Sequence, residues 1–361
     1  MTGEVTLEMA GRAMAAKTKP LGALGRLEDV GIRLSVLQGT LAPRVHRARV
    51  CVFGADHGVT DEGVSAYPRA VTGEMMKNFA RGGAAINVIA RANDVDVEVI
   101  DVGVEADLGE YTAIRQEKIR PGSRNMIREP ALSAAEVDAA LRAGANAARR
   151  ARHDGVDALG LGEMGIGNTT SAAAILCAIG GAAPEAAVGR GTGIDDEGLA
   201  RKCAVVSRAV ALHRAMLHQT GMDALRCVGG YEIAAIAGAA LEASRLGLAV
   251  VADGFISSAA VLAALRIATD ESEARAAEVG RAVFFAHLSA ESGHRLLLSR
   301  CAEYPEVDAR PLIDLGLRLG EGTAAALAVP FLRAAADVMR DMATFASAGV
   351  STGERNVDHT T

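Results

Sequence analysis

Six short apolar runs, each followed by glycine and then by helical spacing, constrain this chain more than any other feature. They are 49–53 (Arg-Val-Cys-Val-Phe), 97–100 (Val-Glu-Val-Ile), 158–161 (Ala-Leu-Gly-Leu), 225–228 (Leu-Arg-Cys-Val), 249–252 (Ala-Val-Val-Ala) and 282–285 (Ala-Val-Phe-Phe). Strand-like runs alternating with helices read as a doubly covered sheet. Their hydrophobicity is continuous rather than alternating, as expected of strands buried on both faces. The expected fold is α/β: a six-stranded, mostly parallel sheet with helices on both faces, a Rossmann-like three-layer arrangement.

The ends differ. Residues 1–45 hold amphipathic helical segments around Pro20-Leu21-Gly22, and residues 323–346 read as one or two helices interrupted at Pro330. The expected division is a catalytic α/β domain over 46–322, a small helical subdomain from 1–45 and 323–346, and a polar, disordered tail over 347–361. At 361 residues, 50% hydrophobic and 23% charged, the chain has the composition of a globular enzyme. Aromatic residues are 3% with no Trp, too few for a base-stacking platform, and a net charge of -6 without a Lys/Arg block implies no polyanion-binding surface. No nucleic-acid partner is therefore expected. The five cysteines form no CxxC pair; Cys51 and Cys227 fall in strand-like runs and Cys177 in a helix-like one, as buried small hydrophobes. Residues 1–19 show no signal-peptide core, and no apolar run reaches membrane-spanning length, so the expectation is a cytoplasmic protein without membrane insertion.

In parallel sheets ligands bind beyond the carboxyl ends of the strands. The polar candidates of this chain collect there. Gly160-Leu161-Gly162-Glu163-Met164-Gly165-Ile166-Gly167-Asn168-Thr169-Thr170-Ser171 links a strand to an Ala-rich helix, and its exposed amides and helix N-terminus suit a phosphate. It is neither a P-loop nor GxGxxG. Asn168 is a candidate N-cap, a ligand contact, or both. In a second glycine loop, 188–197, Asp195 and Asp196 suit either a metal or a helix N-terminus, with the cap favoured, and Lys202, which could reach a phosphate, reads by spacing alone as a solvated helix face. Asp56-His57 ends a strand; Asp56 is expected to shape its loop through backbone hydrogen bonds, with His57 a weaker candidate for substrate contact. No further ligand cluster accompanies them, so no metal site is expected. Ser65 and Tyr67 can line a flat pocket with Met75 and Met76 on its apolar side, although core packing accounts equally for the methionines. Ser289 and Ser292, after the last run, suit either a phosphate or helix caps. No Gly-x-Ser-x-Gly elbow marks a serine hydrolase.

Leu319-Gly320-Glu321-Gly322-Thr323 isolates one carboxylate between glycines before an Ala-rich run. An apolar surround raises a carboxylate's pKa and makes it a better base near neutrality. The competing reading is charge complementation of the following helix.

Ala55-Asp56-His57-Gly58-Val59 through Ser65, Gly162-Glu163-Met164-Gly165-Ile166-Gly167-Asn168-Thr169-Thr170, Gly189-Arg190-Gly191-Thr192-Gly193 and Arg318-Leu319-Gly320-Glu321-Gly322 occur in that order. With them, residues 18–345 resemble the nicotinate-nucleotide:dimethylbenzimidazole phosphoribosyltransferase family. The resemblance implies transfer of ribose 5-phosphate from nicotinate mononucleotide to 5,6-dimethylbenzimidazole with inversion, giving α-ribazole 5′-phosphate and nicotinate for the lower ligand of cobalamin. It implies Glu321 as general base, Glu163 as a second active-site carboxylate, Lys202 as a phosphate contact and Ser65 at the border of the base pocket. Gly165, Gly167, Asn168, Thr169, Ser289, Ser292, Tyr67 and Gly320 complete the expected substrate-binding set. It further implies a homodimer, no organic cofactor, and a helical subdomain built from both chain ends. Two other readings stay open on the residues: a nucleotide N-glycosidase on the same scaffold, and a non-catalytic nucleotide sensor. The acceptor is not fixed, because a methyl-sized difference in a flat base is worth only ~1–3 kcal/mol.

Overall fold

A computed structural model describes residues 5–191, 193–217 and 219–351. Its sheet has six strands, all parallel: β1 (Ala48–Ala55), β2 (Asp96–Gly103), β3 (Ile114–Gln116), β4 (Ala158–Met164), β5 (Ala249–Ala252) and β6 (Val283–Phe285), in the order β3-β2-β1-β4-β5-β6. Every residue of β1 except Arg49 is buried, as are all of β5 and β6, in agreement with their unbroken hydrophobicity. Helices Tyr231–Arg245 and Phe255–Glu271 are buried on nearly every face. Chain order reverses between β1 and β4, where Phe53 lies opposite Glu163. Such a reversal opens a crevice at the carboxyl edge.

Two expectations about strands change. The run at 225–228 is not a strand but the end of the helix Gly221–Val228. Thr220 caps that helix: its hydroxyl accepts from the Asp223 amide at 3.1 Å and donates to the Asp223 carboxylate at 2.6 Å. This cap–carboxylate pairing is a helix-start signal, and the buried residues Gly221, Ala224, Leu225 and Val228 follow helical spacing. Cys227 is thus buried in a helix rather than a strand. The sixth strand is instead β3, an edge strand with only Ile114 buried and so no apolar run to read.

The chain forms two compact units, His46–Pro330 and a second made of residues 1–45 and 331–361, whose described parts are 5–45 and 331–351. In the second, Val5, Ala10, Met14 and Met339 form a small core, and an antiparallel bridge joins Lys17 to Thr344. The division falls at Pro330 rather than at 322. Pro330 does not interrupt the helix Thr323–Asp341. A proline removes its own N–H from the ladder, and the buried neighbours Val329 and Leu332 hold the helix on either side. Of the expected tail, Ser347 and Ala348 belong to a short helix, Phe345–Ala348, capped by Thr344, while 352–361 lie outside the described residues. No helix among the described residues is long and apolar enough to cross a membrane.

Candidate active site

At the carboxyl edge of β4, β5 and β6 lies a cavity of about 590 Å³. Glu163 and Met164 enter it from β4, Asp253 and Gly254 from the end of β5, His287 and Ser289 from beyond β6, and Arg318 to Glu321 from the segment before the last long helix. Val71, Met75, Ile166, Phe255, Ile256 and Leu319 give it an apolar wall, with Tyr67 at an exposed position.

Close backbone approach explains the glycines here. A Cβ on Gly162 of β4 would lie 2.5 Å from the Glu321 carbonyl oxygen, and one on Gly320 would lie 2.0 Å from Glu163 Oε1. The Gly320-Glu321-Gly322 turn therefore rests directly on the strand. Two buried carboxylates pin it. Glu163 accepts the Glu321 amide, and its Oε2 accepts Asn168 Nδ2 at 2.5 Å. Asp253 accepts the amides of Gly322 at 3.3 Å and Ala325 at 2.9 Å. Glu321 itself has φ 68°, a left-handed conformation rare for a residue with a side chain. Its Oε2 accepts the Ile86 amide at 3.3 Å, in the first turn of the helix Ala85–Ala92.

These carboxyls share one electrostatic condition. Burial raises the Glu163 carboxyl to about 7 against its bond from Asn168, and the charges of Glu232 and Glu321 push the same way. Burial lifts Asp253 to about 8. Glu321, 6% exposed, is also raised by burial, partly offset by the Ile86 amide. Desolvation is the common cause, since a buried carboxylate loses its hydration.

Beside the carboxylates lies a buried lysine under the second glycine loop. Lys202 is 1% exposed; its ammonium donates to Thr169 Oγ1 at 2.8 Å and to the Gly189 carbonyl at 3.1 Å. The solvated helix face that spacing suggested for it is thus overturned: the helix Asp196–Leu212 turns Lys202 inward, beneath the second glycine loop. Burial lowers its pKa to about 8, opposed by the charge of Glu291. Glu291 Oε2 accepts the Gly191 amide at 3.4 Å. Asp195 caps the same helix, accepting from the Gly198 amide at 2.8 Å, as expected. Thr192 lies outside the described residues.

The structure brings together Glu321, Glu163, Tyr67, Gly165, Asn168, Thr169, Ser289 and Gly320 on the cavity wall. Lys202, Gly167, Ser65 and Ser292 are not part of that wall. Gly167, at φ 93°, is the N-cap of the helix Asn168–Gly180, so Asn168 is its first residue and not a cap, and its side chain is free to hold Glu163. Ser65 Oγ accepts the Tyr67 amide at 3.2 Å. Ser292 donates to the Val188 carbonyl at 3.0 Å, and Ser289 Oγ accepts the Glu291 amide at 3.3 Å; neither caps the following helix, whose N-cap is Gly293. Met75 lines the cavity and Met76 is core, packed under Gly54. Asp56 accepts the Glu105 amide at 2.8 Å, in its expected loop-shaping role. His57 is fully buried outside the wall, 2.6 Å from Glu232 and 3.2 Å from Ser171 Oγ. Burial, the largest single influence, lowers its basicity, but the charge and hydrogen bond of Glu232 with the charges of Asp56 and Glu163 together outweigh it and hold the imidazole above its usual pKa. Sequence reasoning assigned no role to Asp253, Glu291, His287, Arg318 or Glu232. Asp253 and His287 were legible as polar residues at strand ends, and Arg318 opens the Arg-Leu-Gly-Glu-Gly motif; Glu291 and Glu232 carry no local signal of their own.

Similarity to known proteins gives the class: this doubly wound sheet, with buried carboxylates at its switch point and a buried lysine beside them, is that of a phosphoribosyltransferase. A family model described as Phosphoribosyltransferase matches residues 4–350. The nicotinate-nucleotide–dimethylbenzimidazole phosphoribosyltransferase of Chromobacterium violaceum is 50% identical over 349 residues, 96% of this chain and 97% of the relative. That of Ralstonia nicotianae is 47% identical over 341 residues, 94% of this chain and 92% of the relative. The crystal structure of CobT from Thermus thermophilus superposes with a TM-score of 0.89 at 47% identity, covering 96% of this chain and 99% of that one. The chain belongs to the nicotinate-nucleotide–dimethylbenzimidazole phosphoribosyltransferase family.

Proposed function

We propose that this enzyme transfers ribose 5-phosphate from nicotinate mononucleotide to 5,6-dimethylbenzimidazole, releasing nicotinate and forming α-ribazole 5′-phosphate. The observation that carries the reading is Glu321: a buried carboxylate with a raised pKa, held on a strained turn at a cavity with one apolar wall. A base of that kind takes the N–H proton of the acceptor, and the other ring nitrogen becomes the nucleophile. That nitrogen bonds to the anomeric carbon as the bond to the pyridinium nitrogen breaks. The bonding pair neutralises the pyridinium, so the leaving group needs no proton. Positive charge builds on the ribose, as in glycoside transfer, and Glu163 in its ionised form lies beside the same turn to stabilise it.

Thr169, Ser289 and the amides of the glycine loops, with Lys202 beneath, anchor the donor phosphate in this reading. Anchoring holds the anomeric carbon against the incoming nitrogen and removes part of the entropic barrier. The apolar wall of Val71, Met75, Ile166 and Phe255 suits a flat methylated base. The same reading takes a homodimer in the cytoplasm, which sedimentation and fractionation address.

Incubating the purified protein with both substrates, beside an acceptor-free control, tests the assignment by mass-resolved chromatography. Equimolar nicotinate and α-ribazole phosphate, formed only with the base present, is the expected result. Nicotinate released without the base makes the protein a glycosidase instead. Donor binding with no turnover makes it a sensor.

A further inference from the structure

The cavity wall is acidic. Glu163, Asp253, Glu291 and Glu321 all line it. The proposed donor carries a phosphate and a ring carboxylate against one pyridinium charge, so a wall of carboxylates needs cations to accept it. Among the described residues that line the cavity, Arg318 is the one permanently charged cation. His287 also lines it, but burial lowers its pKa and favours the neutral ring.

Three features single out Arg318. It is exposed, and no carboxylate among the described residues pairs with it, whereas most of the chain's arginines are tied to Asp or Glu. Its Nη1 donates to the Gly191 carbonyl at 3.3 Å, which directs the guanidinium to the second glycine loop. The same glycine faces the buried lysine: a Cβ on Gly191 would lie 3.3 Å from Lys202 Nζ and 3.1 Å from Thr169 Oγ1. One loop residue thus bonds Arg318 and lies next to Lys202, whose ammonium donates to the Gly189 carbonyl of the same loop. A guanidinium has five N–H donors in a planar fork, and a single carbonyl contact leaves most of them for an oxyanion.

From this geometry we propose that Arg318 binds the donor's 5′-phosphate, opposite Lys202, and is a specificity-determining residue for phosphorylated donors. The proposal rests on the donor assignment above and extends it. Arg318 acts on binding and not on bond breaking, so its loss raises KM for the donor and leaves kcat nearly intact.

The test is a substrate cycle. Wild type, Arg318→Met and Arg318→Lys are compared by KM and by calorimetric Kd with three ligands: nicotinate mononucleotide, nicotinamide mononucleotide, which lacks the ring carboxylate, and nicotinate riboside, which lacks the phosphate. Arg318→Met is expected to weaken both mononucleotides by about 10- to 100-fold, the loss of a charge-assisted contact. Arg318→Lys, which keeps the charge but not the fork, falls between. For nicotinate riboside the wild-type-to-variant ratio collapses toward one. Thermal unfolding confirms that the variants fold. A loss that persists with the riboside but vanishes with nicotinamide mononucleotide overturns the proposal in favour of ring-carboxylate recognition. Equal affinities across all three proteins overturn it outright. Failure of the wild type to turn over nicotinate mononucleotide with dimethylbenzimidazole instead refutes the underlying donor assignment, and the cycle keeps these outcomes separate.

Discussion

Glu163→Gln is expected to make the protein more stable and less active, with a stability gain that grows with pH. Burial raises the Glu163 carboxyl from the ordinary 4.5 to about 7. At about 1.4 kcal/mol per pH unit, the ionised form is disfavoured in the folded protein by about 3 kcal/mol. The sign follows from proton linkage. Between 4.5 and about 7 the folded state holds a proton that the unfolded state has released, so this group's contribution falls as pH rises through that window and is flat above it. Integrated from pH 5 to pH 8, the wild type loses about 2.5 kcal/mol that glutamine, which does not titrate, retains. An unfolding entropy of about 2.1 cal/mol/K per residue, over 361 residues, turns this into a shift of about 3 °C. Calorimetric unfolding of both proteins at pH 5, 6, 7 and 8 reads the difference directly. Glutamine alters the bonds to Asn168 and the Glu321 amide by an amount that does not depend on pH, so the slope and not the offset carries the test. A Tm difference that stays flat over the range, or shrinks as pH rises, refutes the reasoning, because Glu163 would then titrate as an ordinary exposed carboxyl. The accompanying loss of turnover would mark the buried charge as kept for chemistry at the expense of stability.

Other outcomes follow from the same geometry. The pH profile of kcat/KM should rise as Glu163 ionises near 7 and fall as Lys202 loses its proton near 8; a profile flat from pH 6 to 9 contradicts those roles. Gly320→Ala places a methyl 2.0 Å from Glu163 Oε1 and should cost about 1–3 kcal/mol of stability together with most of the turnover, read by denaturant titration and nicotinate release. His57→Leu leaves Glu232 buried without its 2.6 Å partner and should cost about 3–5 kcal/mol, whereas a fully stable variant would show that the pair is not ionic.

The sequence carried the sheet because strands covered on both faces are apolar over most of their length, and the apolar runs within β1, β2, β4, β5 and β6 announced them, with Arg49 and Glu98 the charged exceptions within those runs, at partly buried positions. β3 was not announced, since an edge strand with one buried residue leaves no such trace. Residues 225–228 misled for the converse reason: four apolar-rich residues are too short to separate strand from buried helix, and only the Thr220–Asp223 cap decides. Glu321 was legible because its flanking glycines record close approaches, here to the Gly162 backbone and the Glu163 carboxyl. Lys202 was not legible from spacing, because a helical position says nothing about which loop folds over it. Asp253 and Arg318 belong to the site through contacts made across the fold, to the Gly322 and Ala325 amides and to the Gly191 carbonyl.

The account turns on Glu321 as the base that takes the acceptor's proton. Single-turnover release of nicotinate by Glu321→Gln, at saturating donor and dimethylbenzimidazole, measures that step without product release. The account predicts a rate lower by about 10²- to 10⁴-fold, the usual worth of a positioned general base, with donor Kd nearly unchanged. A folded Glu321→Gln enzyme that releases nicotinate at the wild-type rate would contradict it.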